Sequence, residues 1–493
     1  MLMVQLPALQ IVLPLMGAPV CALLRRSSLS WLTAFAVSAV SVAIAGLLLA
    51  EVWTAGPISY AMGGWAAPWG IEYRVDALNA GLLLLVSALA TVVVAFARDS
   101  IDRELNGDRL HLFYAMFLLC LTGLMGITIT ADAFNLFVFL EISSLATYTL
   151  ISLGRDRRAL TASYQYLVMG SLGATFILIG IGLLYMMTGT LNMADLAARL
   201  PGLEGTRTIK VAFAFFTVGV SLKLALFPLH GWLPDAYAYA PSPVSAFIAA
   251  TATKVAIYVL LRFFFSIFGA AFSYRIMPLG AVLLLLSLLA MFVASFVAIF
   301  QTNVKRLLAY SSVAQIGYII LGLSLGTVAG VTAGIIHILN HALIKGALFL
   351  ALGSVFYRLG SVRLEAMEGL AKRMPWTMAA FVLGGLSLIG VPLTTGFVSK
   401  WYLVSAVIQR GWWPVAVLIL LSSLLALVYV WRVVEVAYFG EPGEHLSTVG
   451  EAPVSLLVPT WLLVGANIYF GSHATWTWEL AHRAALSLFG GGP

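Results

Sequence analysis

Charge is what this sequence lacks most. Asp, Glu, Lys and Arg make up 10% of its 493 residues, where a soluble domain carries about 25%. Hydrophobic residues make up 61%, and mean hydropathy is +1.01. Too little polar surface remains to face water, so lipid is the solvent for most of the chain. Cysteine is nearly absent. Cys21 and Cys120 both lie in apolar stretches, which argues against a disulfide framework and excludes a CxxC metal site. Neither GxxxxGK[ST] nor HExxH occurs, which argues against an ATP-driven pump in this chain alone. No flavin, haem or iron–sulfur motif occurs either, so no cofactor and no metal is expected. The net charge of +7 does not point to nucleic acid, because the basic residues are scattered through short loops.

Long apolar runs are what the chain has instead. A bilayer core needs about 20 apolar residues per helix. Such runs fall at 4–24, 30–50, 77–97, 110–129, 133–153, 163–187, 211–239, 243–266, 277–300, 306–326, 330–356, 376–405, 413–437 and 453–471, with Asp132 marking a turn. The expectation is an all-α integral membrane protein of about fourteen spanning helices, forming a single polytopic domain over 1–493. Within it, 1–109 holds helices one to three, 110–266 a first repeat, 277–439 a second repeat, and 453–493 the last helix and tail. The run after MLMVQLPALQ has no basic segment before it and reads as a retained helix rather than a cleaved signal.

Odd-numbered loops hold Arg25, Arg26, Arg103, Arg109, Arg155, Arg157, Arg158, Lys305, Arg306, Arg358, Arg363, Lys372 and Arg373. Even-numbered loops hold only Arg74, Arg199, Arg207, Lys210, Arg275 and Arg410. The positive-inside rule puts the odd loops in the cytoplasm of an inner (plasma) membrane protein and both termini outside. The acidic stretch 440–451 runs against this trend.

Two runs carry helix breakers. The seventh reads SLKLALFPLHGWLPDAYAYAPSP, with Pro228, Gly231, Pro234, Pro241 and Pro243; the twelfth reads LGGLSLIGVPLTTGFVSKW, with Gly384, Gly385, Gly390, Pro392 and Gly396. Proline removes a helix hydrogen bond and clashes with the preceding turn. Backbone groups freed in lipid must face protein or a water-filled cavity. The breaks lie five helices apart, and an odd offset reverses orientation in the membrane. That is the pattern of an inverted repeat spanning helices 4–8 and 9–13. Pro and Gly are also simply common in spanning helices, and that plainer reading stands beside it.

Several ionisable residues sit within the apolar runs: Glu141, Lys223, Lys254 and Lys400, and in one helix His337, His341 and Lys345. A charge at the bilayer centre costs about 2.5–3.5 kcal/mol on insertion scales. His337, His341 and Lys345 are spaced i, i+4 and i+8, and each step of four drifts only about 40°, so they share one face. Glu141 with Lys223 is either a functional pair or an ion pair that glues two helices. His230 and Asp235, beside Pro228 in the first break, either gate it or cap it; Pro392 marks the second. Arg262 reads as a structural residue snorkelling near a helix end, and Lys305 and Arg306 as topology markers. His337 and His341 carry no acid or base between them, which weighs against a metal site. A free lysine titrates at about 10.4. Burial lowers that figure and a nearby carboxylate raises it, so a lysine between the two can exchange protons in a working range. Histidine is already close to it.

FVFLEISSLATYTLI, SLKLALFPLHGWLPDAYAYAPSPVSAFIAATATKVAIYVL, VKRLLAYSSVAQIGY, HILNHALIKGALFLALG and GVPLTTGFVSKWYL together resemble the antiporter-like proton-channel family over nearly the whole chain. That family includes the D-type membrane protein of Mrp-type cation/proton antiporters, the large membrane subunits of respiratory complex I and the corresponding hydrogenase subunits. The resemblance implies a fourteen-helix core, two inverted five-helix repeats and broken helices seven and twelve. It implies that Glu141 and Lys223 act as a pair, followed by Lys254, then His337, His341 and Lys345, then Lys400. The implied partners are other membrane subunits of one complex, protons and Na+, within a lipid bilayer. Lys400, where some complex I subunits carry glutamate, together with the length and DAYAYAPSPVSAF, favours the Mrp D-type branch. PLTTGFVSKWYL departs from the PPLSGF-like sequence expected there. The expected function is proton translocation in an Mrp-type sodium/proton antiporter. The alternatives are the proton arm of a complex I-like or hydrogenase-like oxidoreductase, and the membrane partner of a two-component uptake system.

Overall fold

The computed structural model describes residues 3–105 and 109–490, so the outermost ends of the chain lie outside it. Among the described residues, twelve helices are long and apolar enough to cross a membrane. The two further runs expected at 211–239 and 376–405 are each split. The first gives the helices Arg207–Lys223 and Leu233–Tyr239; the second gives Pro375–Ile389 and Thr395–Gln409. The protein is a multi-pass, all-α integral membrane protein.

Local chemistry sets the helix ends. Asp76, Asp132, Asn303 and Thr327 each accept a hydrogen bond from a backbone N–H in the first turn of the helix that follows, filling donors that have no partner inside the helix. Asp132 does this within a very short turn between Leu110–Ile129 and Ala133–Ser152.

The helix Val328–Leu359 is the hub. It packs against Ala77–Glu104, Ser242–Ala250, Val304–Ser324, Pro375–Ile389, Thr395–Gln409, Val454–Ser472 and Thr475–Leu488. Surrounded in this way, its polar residues are shielded from lipid. By contrast, Ser27–Ala55 and Trp413–Phe439 leave large apolar residues such as Leu32, Leu420 and Leu424 on the outer surface, as lipid-facing helices do.

Three elements escape hydropathy. A two-stranded antiparallel hairpin pairs Ile58–Ala61 with Glu72–Val75. A final helix, Thr475–Leu488, buries Leu480, Ala481, Ala484, Ala485 and Leu488. The run at 243–266, expected to be continuous, is interrupted at Thr251, between Ser242–Ala250 and Ala252–Leu261.

Candidate functional site

The first break frees backbone between Lys223, the last residue of its half-helix, and Leu233. Lys223 is 7% exposed. It donates to Ser144 Oγ at 2.9 Å, and its ammonium lies 3.7 Å from Glu141 Oε1. Ser144 is three residues beyond Glu141 on the same helix, so carboxylate and hydroxyl face the lysine together. The ion pair is looser than the hydrogen bond, and the ammonium can shift between its partners with little movement.

A cavity of about 40 Å³ lies beside Lys223, lined also by Ser143, Ser144, Thr147 and Tyr166 and by Ala252, Val255 and Ala256 of the next broken helix. That is room for a water molecule, which needs about 10–15 Å³ and polar partners. It opens from Lys223 toward the helix carrying Lys254.

Lys254 is completely buried. The interruption at Thr251 releases the carbonyl of Ala249 from the helix ladder, and the Lys254 ammonium donates to it. A lysine thus satisfies a carbonyl that the break would otherwise strand in an apolar interior.

His337, His341 and Lys345 occur on one helix and are all buried. The rings of His337 and His341 are stacked with centroids 6.0 Å apart. His337 Nε2 lies 3.0 Å from Gln315 Oε1, and Nδ1 lies 2.8 Å from Ser399 Oγ. Since the amide oxygen only accepts, the neutral ring carries its proton on Nε2 and accepts from the serine hydroxyl on Nδ1. Both ring nitrogens of His341 are buried with no hydrogen-bond partner among the described residues. Lys345 donates to the Leu308 carbonyl at 2.9 Å and to Ser311 Oγ.

At the second break the Lys400 ammonium donates to the carbonyls of Leu388 and Ile389, at 3.1 and 2.7 Å. These are the last groups of the half-helix Pro375–Ile389, where cations are favoured. Its Nζ also lies 4.8 Å from the centre of the Tyr318 ring, and that ring lies 5.7 Å from His337. Tyr318 therefore stands between Lys400 and the histidines. Glu141, Lys254 and His341 lie close to halfway along the helices Ala133–Ser152, Ser242–Ile267 and Val328–Leu359.

Other expected residues sit differently. Asp235 lies in the first turn of Leu233–Tyr239, whose N-cap residue, Trp232, makes no side-chain capping bond; the Asp235 carboxylate pairs with Arg306 at 3.5 Å. His230 is partly exposed and stacks on Phe227. Pro228 and Pro392 both lie in the non-helical stretches of their breaks. Arg262 does not snorkel. Its guanidinium grips Asp76 at 2.6 and 2.7 Å and donates to Tyr258 Oη at 2.9 Å. Lys305 is not a loop marker but a buried residue, 3% exposed, donating to Ser242 Oγ and the Ala240 carbonyl at 3.0 and 3.2 Å.

Lys305 borders a polar cavity of about 360 Å³, lined also by Glu104, Arg155, Asp156, Arg158, Arg306 and Arg363. Glu104 accepts from the backbone N–H of Ser242 at 2.9 Å, which ties this cavity to the start of the helix that leads to Lys254. At its mouth, hydrogen bonds from Arg158 hold the Asp156 carboxyl below its ordinary range. Among the described residues, no group of three or more His, Cys, Asp or Glu could hold a metal ion.

The profile described as NADH:quinone oxidoreductase/Mrp antiporter, transmembrane, matches residues 130–426, which include every buried lysine and histidine above. The chain belongs to the NADH:quinone oxidoreductase/Mrp antiporter family. Family relatives match most of its length. The chain is 43% identical to NADH-quinone oxidoreductase subunit N of Desulforudis audaxviator, covering 93% of this chain and 94% of that one. It is 35% identical to the putative antiporter subunit mnhD2 of Staphylococcus saprophyticus, covering 92% and 88%. Among solved structures, a chain of the Mrp complex from Dietzia sp. DQ12-45-1b superposes with a TM-score of 0.91 at 28% identity, covering 99% and 98%.

Proposed function

We propose that this protein is the proton-translocating subunit of a multisubunit Mrp-type sodium/proton antiporter. The observation that carries the reading is a set of buried ionisable groups, one after another, at two helix breaks and along one hub helix. Each cation is held by neutral carbonyls or hydroxyls, except where Glu141 faces Lys223. A buried group held this way can exchange its proton without losing a fixed counter-charge, as a relay requires.

Protons enter through the cavity at Glu104 and Lys305, pass Lys223 and Lys254, cross His337, His341 and Lys345, and leave near Lys400. Movement of Glu141 relative to Lys223 sets whether that lysine holds or releases its proton. His230 and Asp235, at the first break beside Pro228, and Pro392 at the second, border the points where the helices flex. The chain lies in the plasma membrane with both termini outside, and 110–266 and 277–439 form the two inverted repeats. Other membrane subunits of the complex supply the sodium pathway.

A second reading follows from the 43% identity to a subunit of an NADH-quinone oxidoreductase. In it the same relay is driven by electron transfer in partner proteins. Co-purification from native membranes separates the two. Small hydrophobic subunits with one larger homologue and no redox protein support the antiporter; iron–sulfur or flavin proteins support the oxidoreductase. In either complex, Lys223→Ala or Glu141→Ala abolishes coupled transport with assembly intact. Transport that survives both changes removes the relay.

A further inference from the structure

A second cavity, of about 620 Å³ and edged by Arg74, Asp76, Asn79 and Arg262, lies at the other end of the molecule. The helix Ala77–Glu104 fixes this, since Asp76 and Asn79 at its start line this cavity and Glu104 at its end lines the Lys305 cavity. A helix of 28 residues is about 42 Å long, so the two cavities belong to opposite membrane faces.

Lys254, Tyr258 and Arg262 are spaced i, i+4 and i+8, a ladder of about 12 Å along one helix face. A small cavity of about 20 Å³ is lined by Lys254 and Tyr258 and otherwise by apolar side chains such as Leu261, Ile335 and Leu480. It holds one water at most. The Tyr258 hydroxyl donates to the Thr128 carbonyl at 2.7 Å and accepts from Arg262 Nε at 2.9 Å. Arg262 in turn holds both oxygens of Asp76. Tyr258, Arg262 and Asp76 all line the large cavity. Lys254 is thus separated from that cavity by one water-sized space, one phenol and one ion pair. The guanidinium occupies the phenol oxygen and the carboxylate together, and arginine does not release its own proton.

We infer that Tyr258, Arg262 and Asp76 form a gated access from Lys254 to the membrane face opposite Lys305, kept shut by the Arg262–Asp76 pair. When the pair parts, the Lys254 ammonium gives its proton to the intervening water. The phenol, its O–H turned from the Thr128 carbonyl, accepts that proton as its own passes to the freed Asp76 carboxylate, and Asp76 releases it into the cavity. One proton leaves Lys254, one reaches the cavity, and water, phenol and carboxylate are restored. The gate rests on the relay reading, because it presumes that Lys254 carries protons. It gives that lysine an opening to the second face besides the one near Lys400.

The test uses the complex purified with this chain from native membranes and reconstituted into vesicles containing a pH-sensitive dye. Collapse of an imposed pH gradient is followed with no sodium gradient present. Arg262→Gln collapses it about tenfold faster than the unchanged complex. Adding Tyr258→Phe to Arg262→Gln returns the rate to the starting value. Arg262→Lys, a point charge unable to hold phenol and carboxylate together, leaks to an intermediate extent. An assembled Arg262→Gln complex that is no leakier than the original overturns the gate, as does a leak that ignores Tyr258→Phe. Failure of both arginine variants to assemble makes the pair a structural clamp and ends the proposal. Sodium-driven exchange is measured alongside in Lys223→Ala. Exchange that survives there removes the relay reading itself, a result separate from any change in leak.

Discussion

The Lys254 ammonium reaches back to the carbonyl of Ala249, across the interruption that Thr251 makes in their shared helix. Conformation and charge depend on each other here. The break exposes an acceptor, and the acceptor holds a lysine where lipid would not.

Replacing that lysine has two effects. Lys254→Met keeps the length and apolar stem but strands the Ala249 carbonyl. The cost is about 1–3 kcal/mol for a buried acceptor left unsatisfied. The complex melts at a lower temperature, and proton transport in vesicles is lost. Transport at the original rate would show that Lys254 is only a structural peg.

Ser144 and Glu141 are separable. Ser144→Ala removes the 2.9 Å bond to the Lys223 ammonium and leaves the carboxylate in place, a change of about 1.5–3 kcal/mol for a bond to a charged group. Coupled transport falls about tenfold or more. Glu141→Gln keeps the shape, removes the charge facing Lys223, and abolishes coupling. Equal rates in the two variants would contradict the separate roles of hydroxyl and carboxylate.

Gly390 guards Lys400. Its φ is +96°, and a Cβ there would lie 3.0 Å from Lys400 Cδ. Gly390→Ala therefore strains the backbone, by about 1–2 kcal/mol, and displaces the lysine from the carbonyls of Leu388 and Ile389. Thermal stability and transport both fall. Gly182→Ala is the control, since a Cβ there meets nothing within 4 Å and leaves both unchanged.

The cavity mouth keeps its charges through neutral pH. Hydrogen bonds from Arg158 hold Asp156 below its ordinary range. The pair's contribution is therefore fully present above the free carboxyl value of about 3.9. It is lost only as pH falls below that value toward the lowered folded one. Asp156→Asn then changes the transport rate by the same factor at every pH near neutrality. A shifted pH profile would place a titrating Asp156 on the proton path.

Much of this was legible in the sequence. Runs of about 20 apolar residues marked the helices, Asp132 marked the turn, and Pro228 and Gly390 lie in the two expected breaks. The interruption at Thr251 was not legible, because no Gly or Pro falls between Pro243 and Gly269. Lys305 and Arg262 looked like loop and edge residues because their partners, Ser242 and Asp76, are distant in sequence. Ser144, Gln315, Tyr318 and Ser399 were missed for another reason. Small hydroxyls, amides and phenols are ordinary in membrane helices, and only tertiary packing shows which of them meets a lysine or a histidine.

Glu141, Lys254 and His341 share a depth close to halfway along their helices, and this has an electrical consequence. A charge crossing the whole membrane exchanges about 2.3 kcal/mol with each 100 mV of potential. Steps between groups at one depth run perpendicular to that field and exchange almost none of it. In the proposed relay, the membrane potential therefore acts on the legs between each cavity and the nearest buried lysine. The lateral transfers of that relay are left to be governed by hydrogen bonding and local charge alone.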